Sequence, residues 1–321
     1  MGPALCLLSA ACFGAMAVFG KLAYQAGVTP SGLLLLRFLV ASALLGGLLA
    51  LRRRSRARRA EPRPGRRVLL LALGLGVCGY ALQAVLYFSA LERIDASLVV
   101  LVLYTYPLLV TVAAALLGRE RLTPARTAAV VLASGGIVLV LLGAGGVSFD
   151  VVGVALAFGA AVTYTGYVLV ADTVVHRLSP VALSAVVMTG ASLALAALAG
   201  FTGGVDLGFE PAGWLWIGCI AVVSTVVAML AFFAGLRRVG PSNAAILSTF
   251  EPVVTTALAG LALGELLTPV QIAGGLVVLA AAAVVQLRPR GPAPGVSGSA
   301  ARPAPRPWQQ RAADPVPGRA P

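Results

Sequence analysis

The chain consists almost entirely of long apolar stretches separated by short polar segments. About 20 apolar residues at a rise of about 1.5 Å each cross a hydrocarbon core of about 30 Å, so a run of this length predicts a transmembrane helix. Ten runs meet this criterion: residues 4–22, 31–51, 68–90, 96–118, 126–146, 151–171, 181–201, 212–236, 242–263 and 270–287. Buried helices of soluble proteins alternate with amphipathic ones, and almost no segment here is amphipathic. The pattern predicts an all-α membrane protein with ten transmembrane helices.

Charge is concentrated in two segments of the chain. Only 11% of the residues are charged, about half the share that is usual in soluble domains, yet the net charge is +13. Nine arginines lie in residues 52–67 and six in residues 288–321; after subtraction of Glu61 and Asp314, these segments account for the whole excess. Because arginine-rich short loops stay in the cytoplasm, residues 52–67 place the end of the second span inside. The number of spans is even, so we expect both termini to be cytoplasmic in a bacterial plasma membrane.

The same segments bear on the partners of the protein. Residues 52–67 are expected to touch anionic lipid headgroups, and residues 288–321, with nine prolines, are expected to form a disordered cytoplasmic tail. A nucleic-acid partner would need basic residues on a folded polar surface, which this pattern does not predict. The four cysteines and the single histidine, His176, lack metal-binding spacing, and the sequence has no phosphate-binding glycine loop. We therefore expect no enzyme activity, no cofactor and no metal.

The two halves of the chain are related in sequence. Residues 88–124 align with residues 233–269 without a gap, with 12 identities in 37 positions that include paired proline, glutamate and arginine residues. We therefore divide the chain into a first five-helix repeat, 1–147, and a second, 148–287. Five is an odd number of spans, so the second repeat is inverted relative to the first. Inverted repeats are typical of secondary transporters with a binding site near the middle of the membrane.

Several short motifs resemble those of one transporter family. They are Phe19-Gly20-Lys21, Leu36-Arg37-Phe38, Ala90-Leu91-Glu92-Arg93-Ile94 and Gly118-Arg119-Glu120-Arg121 in the first repeat, and Gly235-Leu236-Arg237-Arg238, Phe250-Glu251-Pro252 and Leu263-Gly264-Glu265 in the second. On these residues the chain resembles the ten-span EamA branch of the drug/metabolite transporter superfamily over about residues 4–287. The resemblance implies two EamA repeats, a ten-helix bundle around a central cavity, and export or exchange of small metabolites by alternating access.

Two repeat-related positions place a polar side chain beside a proline inside a span. Glu251 precedes Pro252, and its counterpart Tyr106 precedes Pro107. Each proline is expected to kink its helix and to free a backbone carbonyl, which in the second repeat is that of Ser248. A charge deep in a span costs at least about 2.5–3.5 kcal/mol. Glu251 is therefore a candidate for substrate binding or proton coupling; a structural acid hydrogen-bonded within the bundle is the open alternative.

The two tyrosines near this kink have different expected positions. Tyr106 either lines the wall of the cavity opposite Glu251 or fills the core of the bundle. Tyr104 is two positions from Tyr106, so on a regular helix it faces another direction.

Two cations belong to the first two spans. Arg37 lies about 9 Å below the outer surface, where it binds an anionic group, pairs with Glu251 or snorkels outward. A separation of about 10 Å along the membrane normal argues against a permanent pair between Arg37 and Glu251. Lys21, at the outer end of the first span, either snorkels or contributes to substrate binding.

Further polar side chains recur at helical spacing. They are Tyr80, Gln83 and Tyr87 on the third span and Tyr164 and Tyr167 on the sixth. Positions i, i+3 and i+7 share one helical face, so each set is expected to line the cavity or to form hydrogen bonds between helices.

The sequence leaves two classes of function open. The first is secondary transport of small amino-acid-like or drug-like solutes, with membrane lipids as further partners and with proton coupling through Glu251. A homodimer is compatible with the pattern. The second is a lipid-binding or scaffold membrane protein without a transport cycle, which spans without an internal polar face would favour; the stripe from Tyr80 to Tyr87 argues against it.

Overall fold

The computed structural model describes residues 1–55, 65–118, 124–143, 150–171, 173–174, 177–201, 204–239, 247–248 and 250–287. These residues form one compact unit within Met1–Arg288. The expected disordered tail, most of the arginine-rich loop and His176 lie outside the described residues, so those expectations stay predictions.

Helices occupy each of the ten predicted spans. Span 1 is Gly2–Gln25, span 2 Pro30–Ser55, span 3 Arg66–Arg93, span 4 Ala96–Leu116, span 5 Pro124–Gly143, span 6 Val151–Ala171, span 7 Pro180–Phe201, span 8 Pro211–Ala221 with Val222–Val227 and Ala228–Val239, span 9 Glu251–Leu263 and span 10 Pro269–Leu287. Seven of the described helices are long and apolar enough to cross a membrane, and two more are shorter apolar helices. The prediction of an all-α membrane protein is confirmed.

Several spans begin at a proline, as elementary helix chemistry favours. The first backbone N–H groups of a helix have no partner within it, so a residue without an N–H is tolerated there. The prolines in question are Pro30, Pro124, Pro180, Pro211 and Pro269.

Four spans depart from a continuous α-helix. Span 3 contains a π-helical turn at Leu75–Tyr80, and span 8 contains one at Val222–Val227, near the equivalent place in the second repeat. Span 4 is interrupted after Ala96–Leu103 and resumes at Tyr106–Leu116. The described helix of span 9 begins at Glu251, at the equivalent place in its repeat. Interruptions of this kind often mark functional positions in membrane proteins.

The packing of the spans follows a pseudo-twofold pattern. Span 1 packs against spans 8 and 9, and span 6 packs against spans 3 and 4. Span 2 packs against span 7, and span 5 against span 10. Exchange of the two halves converts the first set of contacts into the second and leaves the last two unchanged. With five spans in each half, this symmetry is that of an inverted repeat.

Glycines allow a further close contact, between spans 3 and 7. A Cβ at Gly76 of span 3 would collide with the Val187 carbonyl of span 7, and one at Gly190 of span 7 would collide with the Leu73 carbonyl. Small residues let membrane helices approach until their backbones touch. Span 3 is therefore held tightly against span 7 beside its π-helical turn.

Candidate functional site

The interruptions in spans 4 and 9 bring a tyrosine and a carboxylate together. Pro252 has no N–H, so the carbonyl of Ser248, four residues earlier, lacks its usual helical donor. The hydroxyl oxygen of Tyr104 lies 2.7 Å from this carbonyl oxygen and 2.9 Å from Oε2 of Glu251. The carbonyl that the sequence predicted to be freed by Pro252 is therefore a hydrogen-bond acceptor.

The proton count at this contact limits its hydrogen bonds. A tyrosine hydroxyl has one proton to donate, so Tyr104 donates fully either to the Ser248 carbonyl or to ionised Glu251. When Glu251 is protonated, it can donate to the Tyr104 oxygen, and Tyr104 then donates to Ser248. A proton on Glu251 therefore selects between two hydrogen-bond arrangements at the start of span 9.

An aromatic row extends from this contact across the bundle. Tyr104 is buried, whereas Tyr106, Tyr164, Tyr167 and Tyr80 are half-buried. The row is Tyr104, Tyr106, Tyr164, Tyr167, Tyr80 and Phe38, with successive ring centroids 5.9, 4.7, 5.7, 5.7 and 5.5 Å apart. These separations are typical of favourable aromatic pairs. Spans 2, 3, 4 and 6 all contribute to this continuous aromatic surface.

Arg37 is at the other end of the aromatic row. Its side chain is 2% exposed, so it does not snorkel to the surface. The Nε–H group donates to Oγ1 of Thr225 at 2.9 Å, and the guanidinium carbon lies 4.9 Å from the ring centroid of Phe38 and 5.4 Å from that of Phe88. Contacts of this kind with aromatic faces stabilise a cation away from water.

The π-helical turn of span 8 positions the partner of Arg37. The Thr225 hydroxyl donates to the carbonyl of Ile220, five residues earlier, at 2.9 Å. Its oxygen is then free to accept from Arg37. The turn therefore links span 8 of the second repeat to span 2 of the first.

Arg37 has no acidic partner among the described residues. The ion pairs within them are Lys21 with Glu265 and Arg93 with Asp150. Glu251 interacts with Tyr104 instead. The expected difference in depth between Arg37 and Glu251 likewise argued against a pair between these two residues. A buried cation without an acid beside it is a candidate for binding an anionic group.

Lys21 lies outside the aromatic row, in a separate polar contact. Its Nζ is 4.0 Å from Oε1 of Glu265, in the segment between spans 9 and 10. Glu265 also accepts the backbone N–H groups of Ala96 at 3.2 Å and Ser97 at 3.4 Å, at the start of span 4. Burial raises the pKa of Glu265, although these N–H groups oppose the shift. We call this Lys21–Glu265–Ala96 contact the outer closure, after the orientation that the sequence predicts.

The polar stripe of span 3 is divided between two environments. Tyr80 belongs to the aromatic row, whereas Tyr87 is 2% exposed and contacts the ring of Phe88 at 5.2 Å. Gln83 lies half-buried between them along the helix. On span 6, Tyr164 and Tyr167 are stacked, so their predicted common face is confirmed.

Two contacts of the site were not found from the sequence. The expectation that Tyr104 faces away is wrong because the helix is interrupted at Tyr104 and Thr105, which changes the direction of the side chain. A tyrosine beside a predicted kink was the available signal. Thr225 was not predicted either, since a single hydroxyl in an apolar run carries no signal of its own.

Metal chemistry has no support in the described part of the chain. There, no group of three or more His, Cys, Asp or Glu side chains is placed to hold an ion.

The geometry defines a class of protein: a multi-pass membrane protein of two related halves, with interrupted helices around a polar site. A model of the EamA-like transporter family matches residues 1–142 and 151–287. The chain belongs to this family, and it is a membrane transporter and not an enzyme. The resemblance that the motifs indicated is confirmed.

Individual relatives agree with this assignment. The chain is 28% identical over 283 residues to the uncharacterized transporter YcbK of Bacillus subtilis (strain 168), covering 85% of this chain and 88% of the relative. It is 32% identical over 167 residues to the uncharacterized transporter YwfM of the same organism, covering 50% and 54% of the two chains. A crystal structure superposes with a TM-score of 0.57 over 88% of this chain and 95% of its own, at 23% identity, and shows the same fold.

Proposed function

We propose that this transporter is a secondary exporter or exchanger of small solutes that carry an anionic group, coupled to protons through Glu251. One observation carries the proposal: the Glu251 carboxylate and the Ser248 carbonyl compete for the single proton of Tyr104 at the interruption of span 9. Protonation of Glu251 is thereby linked to the conformation of a broken helix. Broken helices are the moving and binding elements of many secondary transporters.

Arg37 supports the choice of solute. It is buried, it has no described acidic partner, and its planar guanidinium group is suited to a carboxylate or phosphate. The aromatic row between Arg37 and Glu251 offers faces for an apolar or cationic part of the same molecule. An amino-acid-like or drug-like solute would place its carboxylate at Arg37 and its apolar or cationic part along the aromatic row towards Glu251.

The outer closure supports alternating access. Glu265 joins the segment between spans 9 and 10 to the start of span 4 and to Lys21 of span 1. Its counterpart in the aligned sequence of the first repeat is Glu120, which is outside the described residues. If the two halves exchange conformations, the outer closure opens when the end of the bundle that belongs to the first repeat closes.

The proposed location is the bacterial plasma membrane. Export is favoured by the family, and the arginine-rich loop favours a bacterial plasma membrane with both termini in the cytoplasm.

Transport in liposomes tests the proposal. A panel of radiolabelled amino acids and carboxylated drugs is offered to proteoliposomes with and without an imposed pH gradient. We expect accumulation of at least one solute that depends on the gradient, and loss of that dependence in Glu251→Gln. The control Glu92→Gln removes an exposed acid and should retain it. Full gradient-dependent flux in Glu251→Gln would refute the coupling role.

A further inference from the structure

An open groove lies between spans 3 and 6, beside the polar site. It has a volume of about 820 Å³, within the range of about 300–1,000 Å³ that small-molecule sites have. Leucines, valine and glycines form most of its wall, and Leu70, Leu71 and Val170 are between 44% and 57% exposed. In a membrane protein, such exposed side chains face lipid chains, so the groove opens into the bilayer.

Positive charge is confined to one end of the groove. Arg66 and Arg67, the first residues of span 3, line it there and are exposed. From Arg66 to Gly79 the groove follows span 3 for 13 residues, or about 20 Å of helical rise. This equals about half of the 40–45 Å thickness of a bilayer with its headgroups. The groove therefore has the length of one leaflet, with two cations at the level of the headgroups.

Glycines on the two walls leave the groove open, because they have no side chain. Gly74 on one wall and Gly166 on the other have no atom within 4 Å of the position of a Cβ, so both face open volume. At the deep end, Gly79 approaches Tyr167, whose ring a Cβ at residue 79 would touch at 3.0 Å. Tyr167 belongs both to the groove and to the aromatic row, so a single side chain separates the two sites.

We propose that this groove binds an anionic phospholipid of the adjoining leaflet. One acyl chain lies against the apolar wall formed by Leu70, Leu71 and Val170, and the phosphate group contacts Arg66 and Arg67. Charge complementarity identifies the occupant, because an apolar groove with two cations at one end matches the two parts of an anionic lipid. A zwitterionic lipid fits the apolar part equally well but is attracted less by the arginines.

Native mass spectrometry of the purified full chain measures this binding directly. The probes are phosphatidylglycerol and phosphatidylcholine with identical acyl chains. We expect the wild-type protein to retain the anionic lipid about tenfold better, and the double variant Arg66→Gln/Arg67→Gln to lose this preference. Arg52→Gln removes a charge from the end of span 2, outside the groove, and should keep it.

Filling the groove tests its apolar part. Gly166→Leu should reduce the retention of both lipids at least fivefold, and Gly74→Leu should do the same from the opposite wall. The control Gly47→Leu also adds a side chain to exposed, open space, but on span 2 away from the groove, and should change nothing. Gel filtration confirms that each variant is folded.

Three results would overturn the proposal. They are equal retention of the two lipids by the wild type, lipid retention by both filled variants at the level of Gly47→Leu, and displacement of the lipid by millimolar inorganic phosphate. The last would show a site for free anions instead of lipid. None of these measurements depends on transport. The lipid proposal can therefore fail while the transport proposal stands, and the transport proposal can fail while the lipid proposal stands.

Discussion

The hydroxyl oxygen of Tyr104 lies 2.9 Å from Oε2 of Glu251 and joins two helices that are each interrupted at this level. One residue comes from each repeat, so the contact joins the two repeats. A proton on Glu251 changes which partner receives the tyrosine proton, and this makes the contact sensitive to protonation and to the relative position of the two halves.

Removal of the Tyr104 hydroxyl should reduce the stability of the protein. Tyr104→Phe leaves the Glu251 carboxyl without this donor, which we expect to lower the free energy of unfolding by about 1–3 kcal/mol. Thermal unfolding in detergent, followed by scanning fluorimetry, measures the loss. Tyr106→Phe is the matched control, because Tyr106 contributes its ring to the aromatic row. Equal midpoints for the two variants would contradict the hydrogen-bond role of Tyr104.

The contribution of the Arg37 charge to solute binding should be separable from that of its planar guanidinium group. Arg37→Lys keeps a cation but loses the planar group over Phe38 and Phe88 and the Nε–H bond to Thr225. A charge-assisted hydrogen bond contributes about 1.5–3 kcal/mol, so KM for carboxylated solutes should rise about tenfold or more. Kinetics of solute uptake by proteoliposomes provide the measurement. Analogues without the carboxylate should show the same KM in both proteins; a parallel rise for them would indicate general distortion of the site.

The sequence predicts the helices of this protein better than it predicts the contacts of the candidate site. Span length and apolar character are local, so all ten helices could be predicted, and an acid beside a proline in an apolar run indicated Glu251 as a candidate. The partner of Arg37 is 188 residues away and depends on a π-helical turn, which no local pattern indicates. Tyr104 was misassigned because helical spacing assumes an uninterrupted helix. Contacts that depend on irregular backbone are therefore the ones that required the structure.

A side chain added where spans 3 and 7 pack together should destabilise the protein. A Cβ at Gly76 or Gly190 meets a backbone carbonyl, which cannot move without displacing its helix. Gly76→Ala and Gly190→Ala should each reduce stability by about 1–3 kcal/mol through overpacking. Gly74→Ala is the control on the same span, because its Cβ meets open space. Thermal midpoints compare the three variants, and an unaffected Gly76→Ala protein would disprove the backbone contact.

Glu265 should make stability depend on pH. Burial raises the pKa of Glu265 above its ordinary value of 4.5, so the folded protein holds this proton more strongly than the unfolded chain. The pH-dependent part of its contribution is therefore complete below about pH 4.5 and is lost as the pH rises through the raised pKa. Midpoints of the wild type and Glu265→Gln, measured between about pH 4 and pH 7, should show a difference that declines with pH.

Asp150 provides a control of opposite sign. The backbone N–H of Val152 donates to Asp150 at 2.8 Å and lowers the pKa of this carboxyl below its ordinary value of 3.8; Arg93 at 3.2 Å adds to the shift. Its stabilising effect is present above about pH 3.8 and is lost as the pH falls through the lowered pKa. Asp150→Asn should therefore differ from the wild type near neutral pH and converge with it in acid. Matching trends for Asp150 and Glu265 would contradict this assignment.

The outer closure and its repeat counterpart should have opposite effects on access to the site. Ser97 is 1% exposed beside Glu265, and its hydroxyl has no hydrogen-bond partner among the described residues, so a cysteine there reports opening of the closure. In a background without the native cysteines, Glu265→Gln should speed the reaction of Ser97→Cys with a membrane-impermeant maleimide. A loss of about 1 kcal/mol would shift the conformational equilibrium about fivefold. Glu120 aligns with Glu265 in the sequence repeat, and we expect its carboxylate to act at the other end of the bundle, so Glu120→Gln should slow the same reaction. If both variants speed the labelling, they loosen the bundle in general, and the exchange of closures between the halves is disproved.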